Sequence, residues 1–402
     1  MVNRKIAVHC LVATLILSST SLCFGAEDAE EIPVEQAPVV KTIANLDFTG
    51  PTIELSLEQA IKDALTDGSA IRAADIKRQS DRAEARSNQE SASGMETANR
   101  EAREAREEGM WQTGTTYGRS EIDRARKATD YYRTMATRNY DAAVNQIVYS
   151  ITNSYYSLLH AEENVRIAEE SLNLQKQILR ITEQRFLAGV AANQDVMQAE
   201  INVNNARAEL AQAVLSLAER KMIFNEDLGY IQMQDVKLTT PLKRAELSEL
   251  SLEEALSEAL ENRNELFTCA YNIARAESEL ASLRGFSNSS ASVLRARNAV
   301  VSAEKSWHDT ENAIMREVRM NYANMLNNQA QIANSELSAE RAKASLEIYL
   351  VRYELGISTL SDIQQAQIES YRAEKSLVDA ILKFNLSVLE YDQSATVGRN
   401  VN

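Results

Sequence analysis

Few side chains in this sequence have the types and spacings that covalent or acid–base chemistry needs. Beyond the first 25 residues the chain has two histidines, His160 and His308, and one cysteine, Cys269. The two histidines fall on different helical segments, and nothing in the sequence brings them together for proton transfer. Glu304 and His308 lie one helical turn apart and are able to share a divalent metal. The same i,i+4 spacing is the ordinary arrangement of an exposed helix pair, and that reading is preferred. Cys269 has no partner for a disulfide and reads as a small packing residue in a helix. No metal site, cofactor site or catalytic constellation is therefore assigned, and an enzyme is not expected. The remaining candidates are carboxylates beside turns: Asp195 in "RFLAGVAANQD" (185–195) and Asp362 in "RYELGISTLSD" (352–362). An Asp just past a turn can cap the helix that follows and favour its dipole. Repeated around a pore, it can instead concentrate negative potential. Both roles fit the position.

These two turns are one motif written twice, 167 residues apart: Arg, an aromatic, Gly three residues on, and Asp six after the Gly. The elements around them also recur. "LSLEQAIKDAL" at 55–65 returns as "LSLEEALSEAL" at 250–260, and "DVMQAEINVNNARAEL" after the first turn returns as "DIQQAQIESYRAEKSL" after the second. Ser56 and Ser251, each followed by a Glu at or near the third position on, read as helix starts. The chain divides into a signal peptide (1–25), a flexible leader (26–54), helical repeat 1 (55–229), a linker (230–249), helical repeat 2 (250–396) and a short tail (397–402).

Residues 52–240 and 242–402 contain no proline and are rich in Ala, Glu, Leu, Gln and Arg, the composition of long helices. Gly189 and Gly356 mark helix ends, where a left-handed residue suits the C-cap. Gly94, Gly109, Gly114 and Gly118 mark the middle of the first repeat and Gly285 that of the second. Between these corners run helices from about 120 to 188 and about 290 to 355, each on the order of 100 Å long. Leu158, Ala161, Val165, Ala168, Leu172, Gln175, Leu179, Thr182 and Phe186 step by threes and fours, as in a coiled coil. The second repeat keeps the phase from Met325 through Ile332 and Ala339 to Tyr353. A second stripe, Ile167, Ser171, Leu174, Ile178 and Ile181, lies roughly 100° from the first. A helix with two seams has two neighbours, which suits the wall of a helical cylinder. The fold class is all-α: long antiparallel coiled-coil helices in two tandem repeats.

The N-terminus carries Arg4 and Lys5, a short apolar run, then "SSTSLCFGAEDAEE". That order reads as a secretory signal cleaved after Gly25, with Cys23 at the −3 position. Its removal takes away two positive charges and no negative ones, moving the formal net charge from −15 to −17. Such acidity argues against nucleic acid as a partner.

The duplicated unit resembles the TolC family, the outer membrane efflux proteins that serve as exit ducts of efflux pumps and type I secretion. The features that carry the resemblance are the "LSLEEAL" start, the long helix, and the Arg-aromatic-x-x-Gly turn leading into Asp-[Val/Ile]. The resemblance covers about 55–396 and implies a homotrimer forming a hollow α-barrel. It also implies docking on a periplasmic adaptor protein and, through it, on an inner-membrane pump. By matching positions it places Arg185, Gly189, Arg352 and Gly356 at the adaptor-facing tip. Asp362 matches an acidic constriction, and Asp195 with Tyr353 a latch between adjacent hairpins. A second acidic position of the family is Gln365 here, and a basic position after the turn Gly is Ser358.

The family also inserts a β-hairpin into the middle of each repeat to cross the outer membrane. Residues 86–121 offer Met95, Met110, Trp111 and Tyr117 as their only large apolar side chains, and residues 281–296 have room for a turn alone. Membrane strands need about 9–11 alternating residues, so a TolC-like α-barrel subunit without the β-hairpins is expected. Two function classes follow. One is an exported duct component of an efflux or secretion system. The other is a structural, non-transporting coiled-coil protein of the cell envelope.

Overall fold

The structure, a computed structural model, describes residues 48–109 and 115–399; the signal segment, Met110 and Trp111 lie outside them. In chain order the elements are β1 (Thr49–Leu55), α1 (Leu57–Asp67), α2 (Ser69–Glu107), α3 (Arg119–Leu187) and α4 (Asn193–Leu228). There follow β2 (Gln234–Leu238), α5 (Leu252–Asn262), α6 (Asn264–Ser282), α7 (Ala291–Glu354) and α8 (Leu360–Ser394). The two long helices expected from the glycine spacing are α3, of 69 residues, and α7, of 64. Among the described residues no helix is long and apolar enough to cross a membrane.

Each repeat starts as its sequence requires. Ser56 accepts from the Gln59 N–H while Gln59 reaches back to the Ser56 N–H, and Ser251 and Glu254 do the same for α5. These reciprocal caps satisfy N–H groups that a helix start leaves open. Each repeat then lays two shorter helices antiparallel along one long helix. Asp81, Gln89 and Glu96 of α2 pair with Asn139, Arg133 and Arg126 of α3, in an antiparallel register. Along its second half α3 turns Leu172 and Leu179 to Val203, Ala206 and Leu210 of α4.

The second stripe of α3 meets the other repeat. Gln367 of α8 donates to Ser171 Oγ at 2.7 Å, and Gln175 donates to Gln367 Oε1 at 3.1 Å. Polar side chains buried in a seam must find such partners, and those partners fix the register. In the second repeat α7 packs on α8 through Met325 and Ile332 against Ala380 and Phe384. The layer therefore runs α4, α3, α8, α7, with α3 and α8 inside it. The second seam of α3 is filled within the subunit. That of α7 is not.

At the level of α1 and α5 each repeat is anchored by an aromatic pair. Tyr155 of α3 meets Phe224 of α4 at 5.9 Å, and at the equivalent positions Tyr322 of α7 meets Tyr391 of α8 at 5.3 Å. The buried hydroxyl is donated from opposite helices, Tyr155 to the Leu55 carbonyl at 3.1 Å and Tyr391 to the Leu250 carbonyl at 3.0 Å. Duplication has kept the bond to the residue before the helix cap and changed the side that supplies it.

Three sequence expectations change. The leader (26–54) contains β1, which pairs in parallel with β2 of the linker, Ile53 opposite Val236 and Leu55 opposite Leu238. The linker is also pinned by Asn385, which donates to the Lys243 carbonyl and accepts from the Ala245 N–H, both at 2.8 Å. Short parallel strands of five to seven residues, separated by a whole repeat, leave no local periodicity to read. Gly94 is not a corner but lies within α2, with nothing near its Cα hydrogen for a side chain to clash with. The expected absence of a β-hairpin agrees with the described residues: α2 continues to Glu107, and α6 and α7 are joined by residues 283–290 around Gly285 at φ 103°.

Candidate functional site

The two hairpin turns have the same backbone. Gly189 and Gly356 adopt φ of 74° and 75°, in the left-handed region. The Val190 N–H donates to the Arg185 carbonyl and the Gly189 N–H to the Phe186 carbonyl, both at 2.9 Å. Ile357 donates to Arg352 at 2.8 Å and Gly356 to Tyr353 at 3.0 Å. This double closure satisfies the last carbonyls of α3 and α7. The space around Gly189 is open, and a Cβ on Gly356 would meet only Arg185 Nη2 at 3.9 Å. Glycine is required here by the dihedral angle and not by crowding.

The structure brings the two turns together through residues that the motif alone does not distinguish. Tyr353 is 1% exposed, packed with Ile178, Leu360 and Ile363 between the hairpins. Its hydroxyl lies 2.6 Å from Thr182 Oγ1, which itself donates to the Ile178 carbonyl at 2.8 Å. The phenol is thus the donor to Thr182. Arg185 crosses from the first turn to the second: Nη1 donates to the Tyr353 carbonyl at 3.2 Å, and the guanidinium carbon sits 4.6 Å over the Tyr353 ring. The equivalent aromatic of the first turn, Phe186, is instead 41% exposed.

Arg185 and Arg352, both placed at the adaptor-facing tip by the resemblance, differ in surroundings: Arg185 is half-buried and ties the tips to each other, while Arg352 is exposed, with its guanidinium 5.6 Å over Tyr349. The outermost side chains are apolar: Leu187 is 84% exposed and Leu355 68%, with Val190 and Ile357 beside them. The expected Asp195–Tyr353 latch is not made within this chain. Tyr353 is engaged with Thr182, and Asp195 accepts from the Ala192 N–H at 3.1 Å. Thr182 was visible in the sequence only as a polar residue in an apolar stripe. The signal that pointed to it was the need of a buried phenol for a partner.

Asp362 is a capping residue as well. Its Oδ2 accepts from the Thr359 N–H and from Thr359 Oγ1, each at 2.8 Å, and Thr359 Oγ1 accepts from the Asp362 N–H at 3.2 Å. These bonds, and then the nearby charge of Arg352, hold its carboxyl below the ordinary range. A carboxyl with a depressed folded pKa stabilises above its unfolded value and loses that contribution as pH falls through the folded value. Asp362→Ala should therefore lower the melting temperature at neutral pH, and the gap to the wild type should close in acid. A gap that persists unchanged in acid would remove the carboxylate cap as its cause.

The histidines and the cysteine remain apart. His308 faces Glu311 at 3.4 Å, not Glu304. His160 lies 2.5 Å from Asp379, joining α3 to α8 across the repeats. Cys269 is free, with its sulfur 3.6 Å from Thr310 Oγ1. Among the described residues no group of three or more His, Cys, Asp or Glu is placed to hold a metal.

Residues 286–388 match the sequence model of the family described as outer membrane efflux protein. No curated protein matches the chain. Among solved structures, the outer membrane protein VceC of Vibrio cholerae superposes with a TM-score of 0.66 at 16% identity, over 85% of this chain and 96% of that one. A membrane protein from Pseudomonas aeruginosa gives 0.68 at 15% identity, over 94% and 98%. The Campylobacter jejuni CmeC outer membrane channel gives 0.66 at 13%, over 85% and 86%. At these identities the structural likeness speaks for the fold, and the sequence match is confined to part of repeat 2. Over residues 286–388 the chain is thus similar in sequence to the outer membrane efflux proteins, and over both repeats it has the helical fold of the solved outer membrane channels.

Proposed function

We propose that this chain is one subunit of a trimeric helical conduit in the cell envelope, docking by its two turn tips on a periplasmic adaptor and through it on an inner-membrane pump. The observation that carries this reading is the tip itself. Two copies of one turn are clamped side by side by Arg185, Tyr353 and Thr182, and the clamp presents Phe186, Leu187, Val190, Leu355 and Ile357 outward. Apolar residues held in the open on a rigid scaffold mark an interaction surface. A scaffold with no partner at this end would have no use for them.

The trimer is supported by unfilled seams. On α7 Leu337, Arg341, Ala344, Ile348, Val351 and Leu355 follow each other by fours and threes, and all are exposed. On α4 Met197, Ile201 and Leu215 are exposed on the opposite edge of the layer. Each edge is the partner that the other lacks, and heterologous pairing of this kind closes into a ring. Catalysis has no place in this reading, and the duct passes small molecules or peptides outward.

The test is co-purification of the assembled protein with periplasmic adaptor proteins of the same cell. Leu187→Asp with Ile357→Asp should abolish capture while leaving helix content and assembly unchanged. Capture that survives both changes would move adaptor docking away from the tips. If no adaptor is captured by the wild type, the non-transporting envelope scaffold becomes the better reading.

A further inference from the structure

The layer α4–α3–α8–α7 has two faces, and on α3 Ser157 and Asn164 lie roughly 150° round the helix from Tyr155. The face with Tyr155 carries the added elements. There α1, β1 and β2 stack on Tyr155 and Phe224, and α5 stacks with Met325 and Phe384. Extra layers fit on the convex side of a ring. The face with Ser157 and Asn164 is therefore the concave one, which a closed conduit turns inward.

Two open pockets lie on this concave face and share Tyr371 and Lys375. The charged side chains lining them are Arg220, Arg372, Lys375 and Lys383, against Glu209 and Asp379. Asp379 is already drawn to His160. None of the four cations makes an ion pair among the described residues; Lys375 has only the ring of Tyr371, at 5.5 Å. Arg372, Lys375 and Lys383 span on the order of 16 Å along α8, and Arg220 stands on α4 beside the same pocket as His160. In a chain of net charge −15 this is a local excess of positive charge, and a threefold ring would repeat it around the lumen.

We propose that these residues form a cationic belt inside the duct and that its cargo is anionic: small molecules or peptides bearing carboxylate, sulfate or phosphate groups. The inference rests on the conduit reading above. Low-dielectric walls lined by one sign of charge focus potential and raise the local concentration of the opposite ion. The tips do not cancel this. The Asp362 carboxylate is ionised, and the nearby guanidinium of Arg352 offsets its charge.

The experiment places a single thiol in the belt, Ser216→Cys in a Cys269→Ser background, on the purified assembled protein. Its rates with an anionic (ethylsulfonate) and a cationic (trimethylammonium) methanethiosulfonate reagent are each normalised to those of a free small thiol. The expected anionic-over-cationic ratio is about tenfold at low ionic strength. It should fall to within about twofold of unity in 1 M salt and reverse when Arg220 and Lys375 are both replaced by Glu. If those replacements fail to fold, Arg220→Gln with Lys375→Gln should lower the ratio at least about threefold. A ratio at or below unity in a sedimenting trimer, or one that neither set of replacements changes, overturns the belt and leaves the conduit standing. A monomer overturns the conduit, and the belt with it.

Discussion

Replacing Tyr353 by Ala is expected to separate the two hairpin tips and to destabilise the protein by about 3–5 kcal/mol, the usual cost of truncating a buried aromatic. Tyr353 is among the largest fully buried side chains, and three interactions converge on it. Its ring packs with Ile178, Leu360 and Ile363, its face receives the Arg185 guanidinium, and its hydroxyl donates to Thr182. Without the ring, Arg185 keeps at most its bond to the residue's carbonyl and loses the surface that orients it. Tyr353→Phe keeps the packing and the cation–π contact and should cost only about 0.5–1.5 kcal/mol. Chemical denaturation gives the two losses. Amide exchange should show faster opening confined to the ends of α3 and α7 and the starts of α4 and α8. Equal effects of Phe and Ala would make the hydroxyl the main link. An exchange pattern spread along the whole of α3 would show that Tyr353 is ordinary core and not a clamp.

The second large effect is expected at the open seam of α7. Ile348 and Val351 are 59% and 53% exposed in one subunit, at consecutive positions of an unfilled stripe. Burying the half of each side chain that is still exposed contributes about 1.5–3 kcal/mol for the pair, a carboxylate buried in its place costs several kcal/mol more, and about 1.4 kcal/mol is a tenfold change in affinity. Ile348→Glu with Val351→Glu should therefore weaken assembly by two or more orders of magnitude without loss of helix content. Sedimentation across micromolar concentrations is the measurement. Lys343→Gln with Glu347→Gln, at positions that line a groove between α7 and α3 inside the subunit, is a control that should leave the oligomer intact. A trimer indifferent to both changes would place the subunit contact elsewhere.

The sequence alone determined the duplication, the long helices and both turns, because each is written in local terms. Helix caps need Ser and a partner three residues on, a left-handed turn needs Gly189 or Gly356, and a seam needs a three-four stripe along one helix. The two stripes of α3 also foretold its two neighbours, later found to be α4 and α8. What the tertiary structure alone decided is where equivalent residues of the two copies differ. Phe186 and Tyr353 occupy the same motif position, yet one is exposed and the other buried, and Arg185 and Arg352 divide in the same way. The pairing of β1 with β2 and the His160–Asp379 contact were equally invisible, since their partners lie about 180 and 219 residues apart. Local periodicity reports which face of a helix is buried. It carries no term for what covers that face, and the asymmetry of the tips arises only when the second repeat is laid against the first.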